Sequence, residues 1–239
     1  MKKVYIIKAG ITFENTKKEN KDFDFWVIDK LDNPNLNIEV IDIQKEIVFP
    51  DIENVAGVII TGSHSMVTDE EPWSVAVEKW IPKLIENDIP LLGICYGHQL
   101  LGKSMGGVSG FHKDGIEIGS VEISLSNDAK NDQLFRDIPE KFFAHTIHSQ
   151  SILVPPKNSI SLAYNKHDKY HAIRIGKNAW GVQFHPEYDQ KIMKSYIKEV
   201  GKTKDIPIDS LIKNVKDTQD ANLILKRFGK IVEKEVKND

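Results

Sequence analysis

The chain has 239 residues, long enough to bury one sizeable core, and a single domain is expected. A formal charge of -3 gives no sequence-wide attraction to nucleic acid, and no nucleic-acid partner is expected. One cysteine cannot form an intramolecular disulfide, no run approaches the roughly 18 apolar residues of a membrane span, and Met1-Lys2-Lys3 leads directly into an apolar strand, so a cytoplasmic location is expected.

Residues 4–7, 38–43 and 55–61 read as strands separated by polar, helix-compatible or loop sequence, the pattern of a parallel sheet with helices on both faces. Residues 15–28, Lys-rich at the start and carrying Phe23, Phe25 and Trp26, read as one helix running into loop, with the aromatics in the core. The strand 55–61 runs out into Gly62-Ser63-His64. Ligands of open α/β sheets bind beyond the carboxyl ends of strands, and Gly62 permits close backbone approach there. His64 is taken as a loop residue. Glu71-Pro72-Trp73 opens a helix whose buried stripe is Val75, Val77, Trp80, Ile81, Leu84 and Ile85, with a bend expected at Pro82.

An apolar strand, residues 89–94, then meets a helical pattern that opens at Gln99. Between them lies Gly93-Ile94-Cys95-Tyr96-Gly97. Two glycines flanking a central residue suit a sharp strand-to-helix turn, where the central residue is strained and side chains at the flanks would clash. Cys95 at its tip would face the unpaired N–H groups of a helix start, which favour a thiolate and can hold an oxyanion. A lone cysteine is also a common small core residue, and a partner base decides between the two. Gly106-Gly107 ends the elbow helix, and the alternation over residues 115–125 reads as structural strands. The eight histidines show no His-Glu-x-x-His or Cys-x-x-Cys spacing, and His167 and His171 fall in a polar, turn-like segment, so no metal site is expected.

The candidate base is His185, in Gly181-Val182-Gln183-Phe184-His185-Pro186-Glu187. Pro186 biases His185 toward extended geometry, so His185 and Glu187 can project from the same side. The carboxylate would fix one imidazole nitrogen and leave the other to face a thiol. Beyond Tyr188 the chain becomes charged, and Ala221, Ile224, Leu225, Phe228, Ile231 and Val232 mark an amphipathic helix expected to pack back on the sheet, with a partner-binding role as the alternative.

Gly93-Ile-Cys95-Tyr-Gly97-His-Gln99 together with Gly181-Val-Gln-Phe-His185-Pro-Glu187 resembles the class I (triad) glutamine amidotransferases, including the glutaminase domain of GMP synthase. The resemblance implies a flavodoxin-like, doubly wound, mostly parallel α/β sheet over residues 1–190, with residues 191–239 as a helical extension on the same domain. It also implies a Cys95-His185-Glu187 triad that hydrolyses the glutamine side-chain amide through a γ-glutamyl thioester and releases ammonia without a cofactor. The loop at Gly62 departs from the family's Gly-Gly-Pro type, so the oxyanion donors carried over are the N–H of Tyr96 and that of Ser63 or, second, Gly62. Gln99 carries over as a contact to the substrate amide. His148, Ser149 and Gln150 match a Ser-His-Gly-Asp-like stretch that holds the α-amino and α-carboxylate groups, and the departures at Ser149 and Gln150 point to altered substrate choice.

Two readings of the activity share this chemistry. In one the ammonia passes to a separate ATP-dependent synthetase subunit, since no Gly-rich phosphate loop stands in these residues. In the other the protein is a stand-alone hydrolase of γ-glutamyl compounds. A silent regulatory module is the third possibility, opposed by retention of all three triad residues.

Overall fold

The computed structural model describes residues 2–238. Strand and helix alternate at first: β1 (Lys3–Lys8), α1 (Glu14–Asn20), α2 (Phe23–Leu31), β2 (Ile38–Asp42), β3 (Val55–Ile60), α3 (Pro72–Glu86), β4 (Leu91–Ile94) and α4 (Tyr96–Ser104). Strands then predominate: β5 (Val108–Phe111), β6 (Glu117–Leu125), β7 (Lys141–His148), β8 (Gln150–Val154), β9 (Ile160–Tyr164), β10 (Ala172–Ile175) and β11 (Ala179–Val182). Helices α5 (Gln190–Val200), α6 (Ile208–Lys213) and α7 (Gln219–Asn238) follow. Among the described residues no helix is long and apolar enough to cross a membrane.

Nine strands form one sheet in the order β2-β1-β3-β4-β11-β10-β9-β6-β7. The half from β2 to β11 is parallel, and the pairings from β11 outward to β7 are antiparallel. β5 and β8 form a separate antiparallel ribbon. Side chains alternate across a strand, so Val4 and Ile6 enter the core under α2 and α7, while Tyr5 and Ile7 enter the core under α3 and α4. Both faces of the parallel half are thus covered, which is why β3 is buried at every position.

The segment 15–28 is two helices rather than one. Lys21 takes a left-handed conformation (φ 70°) and ends α1, and the Asp22 carboxylate then accepts from the Phe23 N–H to cap α2. The break places Asp22 where it also takes Lys8 Nζ (2.8 Å), Lys17 Nζ (3.0 Å) and the Thr12 N–H (3.0 Å). Phe23 and Trp26 are core residues, but Phe25 stays exposed, with the Lys21 ammonium 3.3 Å from its ring centroid. α3 continues through Pro82 to Glu86.

On α7, Ala221, Ile224, Leu225, Phe228, Ile231 and Val232 are all buried in the core under β1, β3 and β4. Close approach is possible because residue 57 is glycine: a Cβ there would lie 2.7 Å from a Val232 methyl. The adjacency β3-β4-β11 has a functional consequence. Three parallel strands side by side release their following loops at one edge, which brings Gly62 and Ser63, Cys95 and His185 together.

Candidate active site

Cys95 joins β4 to α4 with φ 50° and ψ -97°, a conformation that L residues adopt only under constraint. The flanks explain how it is held. A Cβ at Gly93 would fall 2.4 Å from the Gly97 carbonyl oxygen, and one at Gly97 would fall 2.5 Å from that of Ile60. The Cys95 N–H donates to Val182 O at 2.8 Å, which ties the elbow to β11, and the thiol lies 3.6 Å from the Ile147 carbonyl. Cys95 is 6% exposed and lines a cavity of about 230 Å³.

His185 follows β11 and is fixed from three sides. Its N–H donates to His145 O (2.8 Å), its Nδ1 donates to Glu187 Oε1 (2.7 Å), and its ring stacks on Tyr188 at 4.1 Å. Burial pushes the imidazole pKa down, but the Glu187 carboxylate and the charge and hydrogen bonding of Cys95 outweigh it and push the group up to about 10. Gly62 leaves room for this ring, since a Cβ there would lie 3.1 Å from His185 Cε1.

The loop after β3 is set by Thr61, whose hydroxyl accepts from the Ala9 N–H and donates to the Gly62 carbonyl, both at 3.0 Å. In a trans peptide the C=O and the following N–H point in opposite directions, so the Ser63 N–H is turned away from Thr61. The Ser63 hydroxyl accepts from the Ser65 N–H (3.1 Å). His64 also lines the cavity, its ring 4.3 Å from Phe13 and its Nε2 3.4 Å from Tyr196 Oη, and burial and then the His185 charge hold its pKa down.

Gln99, His148, Ser149 and Gln150 all reach the same cavity. Their polar atoms are differently committed. Gln99 Nε2 donates to Gln150 O (2.7 Å) and Gln183 Oε1 (3.1 Å). The Gln150 carboxamide accepts from the Val67 N–H (3.0 Å) and donates to Thr68 Oγ1 (2.7 Å), so it acts as a strut between β8 and the loop before α3. His148 has Gln150 O at 2.9 Å from Nδ1 and Glu117 Oε2 at 3.0 Å from Nε2. The side chains of His148 and Gln150 are therefore occupied by the protein.

Sequence reasoning passes over two residues. Asn222, on α7, donates to Pro186 O (2.6 Å) and Tyr188 O (3.0 Å), bracing the turn that carries His185 and Glu187. No local signal distinguishes it from other polar positions of an amphipathic helix. Glu117, in the stretch taken as structural, is a buried acid bonded by His148, by His171 (2.9 Å) and by Asn165 Nδ2 (2.7 Å). An acid surrounded by alternating apolar residues is its only trace.

Comparison with known proteins places the chain in a family. The chain is 31% identical over 154 residues to gamma-glutamyl peptidase 5 of Arabidopsis thaliana, covering 63% of this chain and 61% of that protein. It is 33% identical over 154 residues to a glutamine-hydrolyzing GMP synthase subunit from Methanococcus maripaludis, covering 62% and 75%. Against the GMP synthase of Borrelia garinii it is 33% identical but spans only 27% of the relative's length. A glutamine amidotransferase of Thermotoga maritima superposes with a TM-score of 0.74 at 20% identity, covering 99% of both chains, a likeness of fold. The model of the class-I glutamine amidotransferase family matches residues 19–201, well over half of the chain, and the protein belongs to that family.

Proposed function

We propose that Cys95, His185 and Glu187 act as nucleophile, base and orienting acid in hydrolysis of a γ-glutamyl amide, with glutamine as the substrate and ammonia as the product passed on. The observation that carries this reading is the strained Cys95 elbow facing an imidazole raised jointly by Glu187 and the thiol. The Cys95 thiolate attacks the γ-carboxamide carbon, and the oxyanion is held by the N–H groups of Tyr96 and Ser63, the latter favoured by the Gly62 carbonyl's bond to Thr61. His185 gives its proton to the departing nitrogen. It then takes a proton from water, whose oxygen cleaves the thioester, releasing glutamate and restoring the thiolate. Similarity to the Methanococcus maripaludis protein supports delivery of the ammonia to a separate ATP-dependent synthetase.

A second reading is favoured by the outer wall of the cavity. Phe13, His64, Met66 and Tyr196 line it, with Lys204 beside them. Ammonia as a leaving group needs none of these, whereas the C-terminal residue of a γ-glutamyl dipeptide would place an apolar side chain and a carboxylate there. The gamma-glutamyl peptidase relatives agree with this. The test measures glutamate release from glutamine and from γ-glutamyl dipeptides, with Cys95→Ala as control. Activity on glutamine alone selects the first reading, faster turnover of dipeptides selects the second, and activity on neither with unreactive Cys95 refutes both.

A further inference from the structure

We propose that Glu117, His148 and His171 bind one divalent transition-metal ion of the zinc type, bracing from behind the turn that presents residues 148–150 to the cavity. The donors come from β6, the end of β7 and the residue before β10, which is why no sequence spacing announces them. Their ligand atoms all lie within 4.8 Å of one another, and all three residues are buried. Two imidazole nitrogens and one carboxylate oxygen are a donor set that zinc takes and that calcium and magnesium do not favour.

The hydrogen bonding around His148 argues for a cation between the donors. A carbonyl only accepts, so the bond at 2.9 Å to Gln150 O puts a proton on Nδ1. His148 Nε2 and Glu117 Oε2 then face each other 3.0 Å apart in a buried setting, where either a proton on Nε2 or a metal ion holds them together. Ring N–H to a backbone carbonyl, with the other nitrogen presented to the ion, is the usual outer-shell arrangement of a metal-bound histidine. The ligating acid is likewise supported, through Asn165 on Oε1.

Charge points the same way. Glu117 and Asp168 are both buried, and among the described residues neither pairs with lysine or arginine. His171 Nδ1 is buried without a hydrogen-bond partner. A divalent ion supplies the missing charge. Around a tetrahedral ion with bonds of about 2.0–2.1 Å the donors sit roughly 3.3 Å apart, so the two separations from Glu117, 2.9 and 3.0 Å, need open by only a few tenths of an ångström, while the two histidine donors lie within 4.8 Å of each other. The stacked rings of half-buried His112 and His167, the latter 5.7 Å from His148, stand beside the cluster.

The experiment uses the full chain carrying Cys95→Ala, so that the only thiol cannot bind metal. After chelation and dialysis the protein is titrated with Zn2+, Co2+ and Mg2+. The expected result is one equivalent of Zn2+ by mass spectrometry, intense visible bands for tetrahedral Co2+, no response to Mg2+, and about 100-fold or greater loss of Zn2+ affinity in H171Q, checked for folding by circular dichroism. Absence of Co2+ bands and of stoichiometric Zn2+ would overturn the proposal and assign a second proton to His148. Unchanged Zn2+ binding in both H171Q and E117Q would overturn it as well. Should either variant misfold, the unmodified background's choice of Zn2+ over Mg2+ and its Co2+ spectrum decide alone.

Discussion

Replacing Glu187 by Gln removes a buried carboxylate 2.7 Å from His185 Nδ1 while keeping the shape of the side chain. At an effective dielectric constant of about 20, unit charges at that distance attract by roughly 6 kcal/mol, before the cost of burying them is subtracted. A net loss of about 4–5.5 kcal/mol in transition-state stabilisation corresponds to a fall of about 10³–10⁴ in kcat/KM, the size seen when the orienting acid of comparable triads is neutralised. The same change removes the largest of the influences that raise the His185 pKa, so it falls from about 10, with the Cys95 charge and hydrogen bond still opposing burial. The sign for stability follows. Folded His185 keeps its proton up to about pH 10 whereas the unfolded chain loses it near pH 6.5, so this contribution is complete below pH 6.5 and is lost as pH rises through that window. Ammonia release, histidine NMR titration and thermal unfolding from pH 6 to 10 test these points on both proteins. A wild-type His185 that titrates near 6.5, or an E187Q variant within threefold of wild-type activity, would refute the reasoning.

The remaining predictions concern the supports. Gly93→Ala forces a methyl to 2.4 Å from a backbone oxygen, and a shift of about 1 Å at the elbow should cut kcat at least 100-fold, read by steady-state kinetics on soluble protein. Asn222→Ala removes two donors from the Pro186 and Tyr188 carbonyls and should cost about 2–4 kcal/mol in denaturant unfolding while lowering kcat more than it changes KM. Lys204→Ala should raise KM for a γ-glutamyl dipeptide several-fold and leave that for glutamine unchanged, measured side by side.

The elbow is legible in the sequence because its glycine frame is local: Gly93 is required by a contact across the turn itself, although Gly97 answers to the Ile60 carbonyl on β3. His185 and Glu187 are legible as a pair two residues apart, although a tight turn, with the Tyr188 N–H 3.4 Å from His185 O, and not extended chain brings them together, and the periodic stripe of α7 is legible because burial imposes a helical repeat. The break between α1 and α2 escapes such a reading because it depends on Asp22 meeting Lys8 and the Thr12 N–H, contacts made by chain outside the segment.

Residue order by itself determined the strand-turn-helix chemistry at Cys95, the His-Pro-Glu pair and the amphipathic faces, since each is dictated by neighbours within a few positions. Only the tertiary structure decided that β3, β4 and β11 lie side by side, that Asn222 reaches the Pro186 carbonyl, and that Glu117, His148 and His171 share one buried point. Those are pairings between distant strands and helices, selected by how two cores close around one sheet, and no short-range pattern encodes them.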